Sequence, residues 1–448
     1  MRSLLVGLSC ALLLGCPTEP DPPPEPAPIV DPLSRPATPT LSVDDFSGAD
    51  ACGECHPDQL EQWSGSAHAY AMVDPVFRAL VEIRQADFDG AQDTFCVQCH
   101  SAIGTRGGEI VPGFAWDDLS DITLEGVTCE ACHKVSGMQR TWNAGHELDP
   151  LGPVRGPFAD PEPSAFHRTS QSDLIGRASF CGGCHDVIEL SGLNLERPYA
   201  EWRTSPAAEE GRPCQSCHMP EYTGRAATTS TQDRTLRSHR FRGVEVPLLP
   251  GFVTPEREAE MLLDAQDLLG GAGSIEVEAT PVTAGEQLDL LVTVKNEIDA
   301  HNLPTGSTFI RQLWVEVTVT DGDGAVVYAT GDLDANGDLR DAWSEADRYG
   351  DEDLLVLHSG LVDGAGNPEL FPWRASEHTS LSLGPLYERT ATLFVPTAAT
   401  TPGPLQVRAR LRFRPFPPFL LRALGLPELV DRVPTFEIDE VDLQVPLQ

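Results

Sequence analysis

The sequence predicts two unlike domains: a loop-rich, mainly α region over residues 44–253 and an all-β immunoglobulin-like sandwich over 272–448, joined by a helix at 254–271. Three observations predict this. Ten cysteines crowd into residues 52–217 among short helical signals, with proline and glycine throughout. From Ser274 onward apolar and polar residues alternate with period two, the pattern of half-buried strands. Between the two lies "TPEREAEMLLDAQDLLGG", with Thr254 as N-cap, Pro255 in the first turn and Gly270 as terminator. At 448 residues and 40% hydrophobic content the chain can bury a core.

The first sixteen residues, "MRSLLVGLSCALLLGC", have a basic start at Arg2 and an apolar run from Leu4 to Leu14, too short to cross a bilayer. This reads as an export signal over 1–16. Its end, "LLGC", resembles the lipobox of bacterial lipoproteins, which makes Cys16 the expected lipidated residue and only membrane anchor. Residues 17–43 read as a proline-rich disordered tether, of which 17–40 alone could hold the body up to about 75 Å from the lipid. The expected location is the outer membrane, facing the periplasm or the cell surface.

The formal charge of −37 arises from 68 acidic and 31 basic residues, and Lys134 and Lys295 are the only lysines. Nucleic acid is excluded as an expected partner, and a basic docking surface on a partner protein would be favoured.

Cys10 lies in the signal and Cys16 at the anchor. The other ten cysteines form five C-x-x-C-H motifs: "CGECH" (Cys52, Cys55, His56), "CVQCH" (Cys96, Cys99, His100), "CEACH" (Cys129, Cys132, His133), "CGGCH" (Cys181, Cys184, His185) and "CQSCH" (Cys214, Cys217, His218). In this pattern two thiols join the vinyl groups of a haem and the next histidine binds its iron. Chance would give about 0.01 copies in a chain of this composition, so five are decisive. Zinc ribbons do not require a histidine after each second cysteine, and thioredoxin-like motifs occur once per domain. The expected cofactors are five covalent haems, which must form much of the core of their region.

Each iron has a second axial position, which separates electron transfer from catalysis. Seven histidines lie outside the motifs. His68 follows His56 on a predicted helix with Trp63, and His146 follows the third motif across "SGMQRTWNAG". His167 and His239 stand in polar stretches, "PEPSAFHRTS" and "LRSHRFRG", with no evident packing duty. These four are the candidate distal ligands. Met72, Met138 and Met219 are alternatives that would raise a haem's potential.

"CGECHPDQLEQWSGSAHA", "GVTCEACHKV", "FCGGCHDV", "EWRTSP" with "CQSCHMP", and "HNLPTG" together resemble the exported bacterial multihaem c-type cytochromes, distantly related to the tetrahaem electron carrier of ammonia oxidisers. The similarity covers about residues 50–320. It implies that His68 and His146 are distal ligands and that the histidine of "HNLPTG", His301, binds a haem of the preceding domain. "CEACHKV" departs from the pattern, lacking the Gly-Pro-Gly that follows this motif in the tetrahaem relative. With four candidates for five irons, His301 is the fifth, on a loop that Pro304, Thr305 and Gly306 can turn tightly.

In the second domain the strands are "SIEVEAT", "EQLDLLVTVKN", "QLWVEVTVTD", "AVVYAT", "TATLFV" and "LQVRARLRF". "DLDANGDLRD" has the early spacing of a calcium loop but Trp343 at position twelve, so calcium ranks below a metal-free acidic hairpin. His358 and His378 read as ordinary polar residues. The expected function is electron transfer by a lipid-anchored pentahaem cytochrome between redox partner proteins, with no catalytic residue. The competing reading is an oxidoreductase acting on a small nitrogen or sulfur compound at one open haem.

Overall fold

A computed structural model of the chain describes residues 40–447, so the export signal, Cys16 and most of the tether lie outside the described residues. The first half is a string of short helices and turns in which the motifs sit. The first motif begins in helix Ala49–Gly53 and the second occupies Thr94–His100. The third occupies Cys129–His133, the fourth begins in Ala178–Gly182, and the fifth ends Gln215–His218. The single helix predicted after the first motif is two. Gly65 closes Pro57–Ser64, and Ser66 opens Ala67–Tyr70 by accepting from the Ala69 N–H, so His68 sits in a new first turn.

Helix Pro75–Asp87 runs alongside the second motif. Asp74 caps it, accepting from the Val76 N–H at 3.0 Å. Its Arg84 is buried and pairs with Glu189 at 2.8 Å, tying the helix to the segment after the fourth motif. No helix among the described residues is long and apolar enough to cross a membrane.

The predicted connecting helix spans Pro255–Gly270, with the Thr254 hydroxyl accepting from the Arg257 N–H. It buries Met261, Ala265 and Leu269, and the last two join the core of the sandwich. That core lies between two antiparallel sheets. One orders Glu388–Val395, Leu288–Asn296 and Gly273–Ala279. The other orders Val326–Thr330, Gln312–Thr320, Leu405–Arg414 and Phe436–Val445, with Leu355–Val356 also paired to Gln312–Thr320. Alternate residues Leu288, Leu290, Val292 and Val294 face Leu313, Val315, Val317 and Val319 across the core, as the period-two pattern requires.

In the acidic loop with the early spacing of a calcium site, read as a metal-free hairpin, the carboxylates are already engaged. Asp334 accepts from the Asn336 and Asp338 N–H groups and from Ser344, while Asp332 pairs with Arg340 and Asp338 with Arg422. The described residues contain no cluster of metal-binding side chains there.

A candidate multihaem site

One cavity of about 2040 Å³ runs through the first half and up to the sandwich. This exceeds the ~300–1,000 Å³ of a pocket for one small ligand. The cysteines and histidine of all five motifs line it, as do His68, His146, His167, His239 and His301. None of the ten cysteines is in a disulfide.

Four motif histidines face a second imidazole. The ring centres are 6.3 Å apart for His56 and His167, 6.2 Å for His133 and His239, and 6.3 Å for His218 and His301, with planes 25–26° apart. His185 and His68 are 6.2 Å apart with planes at 59°. A metal–imidazole bond of about 2.0 Å places two ring centres roughly 6.3 Å apart across one metal. Direct ring stacking would bring them much closer, so the spacing is that of two rings with an atom between them.

The ring nitrogens have matching partners. Nδ1 of His56 meets the Ala226 carbonyl at 2.5 Å, that of His100 meets Ala71 at 3.0 Å, and that of His133 meets Arg155 at 2.6 Å. His218 meets Arg242 at 2.7 Å and His301 meets Asn302 at 2.9 Å. A carbonyl can only accept, so Nδ1 carries the proton and Nε2 keeps a lone pair for a metal. Burial, then the neighbouring His185, pushes His68 down to about 3. Burial, then His133, pushes His239 down to about 4. Both imidazoles are held in the neutral form that ligates.

His146 departs from the expectation. Its Nε2 meets the Phe180 carbonyl at 2.8 Å and its Nδ1 lies 3.8 Å from the Cys184 sulfur, so it braces the fourth motif and faces no motif histidine. His100 therefore has no paired imidazole among the described residues. Phe77 stacks flat on it instead, with ring centres 3.6 Å apart and planes 4° apart. Of the methionine alternatives, Met72 is fully buried beside Phe77 and does not line the cavity. His378 sets Nδ1 2.7 Å from the Asn194 carbonyl, and His358 sits under the Leu313 carbonyl.

Three thiol contacts cross between motifs. Cys52 lies within hydrogen-bonding reach of Cys129, Cys99 of Cys184, and Cys181 of Cys214. Thioether carbons sit at the porphyrin edge, so these contacts fit cofactors meeting edge to edge. The cavity is also lined by half-buried arginines whose buried Nε donors are orphaned. Arg242 and Arg311 each use one amino group on a carboxylate, Asp267 at 2.7 Å and Glu245 at 2.8 Å, while their Nε atoms have no partner. An unpaired buried guanidinium donor is costly unless an anion reaches it, and a haem propionate supplies one. The residues therefore fit haem c.

His301 reaches the cavity from the sandwich. Asn296 donates to the carbonyls of His301, Leu383 and Gly384 at 3.0 Å each, holding the loop in an arch, and Gly306 turns it with φ of +73°. Glu201, in "EWRTSP", then accepts from the Asn302 N–H at 3.1 Å and the Thr305 hydroxyl at 2.6 Å. Asp299 pairs with Arg212, and Ser307 donates to Glu196. The role of Glu201 is not evident from "EWRTSP" in the sequence. An acidic residue conspicuous in a motif was the available signal. Phe77 gave none.

Residues 51–134 match the model of the family described as cytochrome c554 and c-prime. The C-type polyheme cytochrome OmcB of Geobacter sulfurreducens is 28% identical over 148 residues, which are 30% of this chain and 16% of that protein. Cytochrome c-554 of Nitrosomonas europaea is 34% identical over 107 residues, 22% of this chain and 42% of that one. The chain thus spans less than half the length of either relative. Among solved structures, a penta-heme cytochrome c552 from Thermochromatium tepidum superposes with a TM-score of 0.59 at 19% identity, covering 89% of this chain and 99% of that one. Residues 51–134 thus match the cytochrome c554 family model, within a chain that shares the fold of the penta-heme cytochrome c552 and whose C-terminal part is β-rich.

Proposed function

We propose that this chain is an exported, lipid-anchored electron carrier that holds five covalent haems. The observation that carries the reading is the set of four imidazole pairs spaced 6.2–6.3 Å apart around one cavity. Haem c supplies reversible one-electron chemistry when bound. The ten motif cysteines form the thioethers. His56 with His167, His133 with His239, His185 with His68 and His218 with His301 would hold four of the irons. The Nδ1–carbonyl bonds of His56, His133, His218 and His301 fix those four rings, and Arg242 and Arg311 would receive propionates. The thiol contacts set an order in which the first motif adjoins the third, the second adjoins the fourth, and the fourth adjoins the fifth. Cys132 neighbours Cys181 and Cys184, so the third motif also adjoins the fourth, which becomes a branch point with the second, third and fifth around it. Cys16 would carry the lipid, on the strength of "LLGC". The membrane then keeps the carrier near a donor, and the tether lets it reach an acceptor at the periplasmic or outer face of the outer membrane.

His100 favours a second reading for one site. With Phe77 on its face and no imidazole opposite, the second motif is where a small nitrogen or sulfur compound would bind if the protein were an oxidoreductase. Carbon monoxide added to the reduced protein separates the readings. The carrier reading expects a spectral change of at most one haem in five, with no turnover of nitrite, hydroxylamine or sulfite under steady reduction. Turnover that disappears on changing residues at the second motif alone would replace it with the enzyme reading. Changes at several haems would overturn the ligand pairs.

A further inference from the structure

The chain from helix Ala67–Tyr70 into helix Pro75–Asp87 wraps the histidine of the second motif. The Ala71 carbonyl accepts from Nδ1 of His100 at 3.0 Å, and the Phe77 ring lies flat on the same imidazole with centres 3.6 Å apart. Midway between those two contacts stands Asp74, which lines the cavity.

The surroundings of Asp74 give a negative charge little support. It accepts from the Val76 N–H at 3.0 Å, and no arginine or lysine among the described residues pairs with it. The Tyr70 hydroxyl oxygen accepts from the N–H groups of Leu248 and Leu249 at 3.0 Å each, which leaves its own hydrogen for Asp74, within hydrogen-bonding reach. Glu245 adds a second negative charge from the neighbouring segment, and Arg311 is committed to Glu245 at 2.8 Å. The remaining cations nearby are turned elsewhere. Arg78 sets its Nε on the Met72 carbonyl, and Arg432 binds Glu258 and the Leu248 carbonyl. Burial, with Glu245 beside it, therefore pushes this carboxyl up to about 7, where a change of one charge in the cavity decides whether it holds a proton.

We propose that Asp74 is a proton-binding site coupled to the second motif, taking a proton from water when the haem held there receives an electron. The proposal rests on the electron-carrier reading and adds a proton to it. The electron donor is oxidised by one unit, one O–H bond of a hydronium ion breaks, and one O–H bond forms at the Asp74 carboxylate. Oxidation reverses both transfers. Electron and proton together leave the net charge of the cavity unchanged, which avoids an uncompensated charge in a poorly solvated interior.

Asp74→Asn keeps the helix cap, because an amide oxygen also accepts, but it cannot take the proton. The intact haem-loaded protein is titrated with reductant in a spectroelectrochemical cell from about pH 5 to about pH 9, following the component whose spectrum differs from the four low-spin haems. In the wild type the reduction equilibrium of that component should fall by up to about tenfold per pH unit around pH 7. Asp74→Asn should match the wild type at about pH 5, where the carboxyl already carries its proton, and be reduced more readily than the wild type at about pH 8. Glu82→Gln, an exposed change on the same helix, should follow the wild type throughout. An offset equal at every pH, or no difference between Asp74→Asn and the wild type, overturns the proposal. A second reading needs no variant: reduced-minus-oxidised infrared spectra of wild-type protein carrying carbon-13 aspartate should show a protonated-aspartate carbonyl band growing on reduction, and its absence overturns the proposal equally. Reversible one-electron components with pH-independent potentials would remove the proton site and leave the carrier reading standing; a protein without such components would overturn the carrier reading itself.

Discussion

At the scale of single residues, the histidines divide by what faces them. His301 faces His218 across a gap sized for a metal, and His146 faces a carbonyl and a thiol. His301→Ala is therefore expected to convert one haem in five from low to high spin, while His146→Ala leaves every low-spin signal in place. Ferric electron paramagnetic resonance reads both, and loss of a low-spin signal in His146→Ala would show the assignment to be wrong. The motif residues were fully legible in the sequence, because covalent attachment fixes their spacing. The distal ligands were legible only as a supply of histidines, since nothing in a linear sequence says which ring will face which. His146 drew attention because it follows a motif closely, yet the β-turn path of the intervening residues, with Asn143 and Ala144 at positive φ, carries it back onto the fourth motif. Asp74 tests the electrostatics. Burial, opposed by the Val76 N–H and aided by Glu245, pushes it from 3.8 up to about 7. The folded chain holds this proton more tightly than the unfolded one. Its stabilising contribution is therefore full below about pH 4 and is lost as pH rises through 7. Asp74→Asn, which keeps the cap, should raise the thermal midpoint at pH 8 more than at pH 5; a shift equal at both values would contradict this.

Among the elements, the helix Pro75–Asp87 depends on a charge sealed inside the protein. Arg84 and Glu189 are 1% and 4% exposed at the side chain, and the rings of Phe88, Phe95 and Trp373 lie within 5.2–5.4 Å of the guanidinium carbon. Glu189→Ala would strand that cation, at a cost of about 3–5 kcal/mol, whereas Arg84→Met/Glu189→Met should cost less because no charge is left behind. Denaturant midpoints would decide this, and a double variant weaker than the single one would refute it. No sequence pattern marks such a pair, since its members are 105 positions apart. The helix at Pro255–Gly270 was readable end to end from Thr254, Pro255 and its terminal glycines, because caps are local chemistry. Its partner was not. The apolar face of Met261, Ala265 and Leu269 announces burial but not that the sandwich is what covers it. The six strands written in the period-two pattern all formed. The final strand, Phe436–Val445, was not among them: it follows proline-rich chain and alternates only in part.

For the molecule as a whole, the two halves owe their cores to different materials. The sandwich buries a continuous cluster from Ile275 to Val445, while the first half has small separate clusters around an open cavity. Chain produced without haem attachment should consequently keep a protease-resistant fragment beginning near residue 254 and lose the rest. Resistance across residues 49–218 in such material would show that the first half folds without its cofactors. The loop at 299–307 joins the halves through Glu201, Arg212 and Glu196, and the His218–His301 pair makes the sandwich part of the cofactor site. The central claim is that five irons are held here, four of them between two imidazoles. Mössbauer spectroscopy of the oxidised, iron-57-enriched protein counts irons by environment. The account predicts four parts of low-spin, doubly imidazole-ligated haem to one part of a different kind, belonging to His100. Five equal low-spin sites would mean that a further ligand reaches the second motif, and a spectrum without low-spin haem would contradict the account altogether.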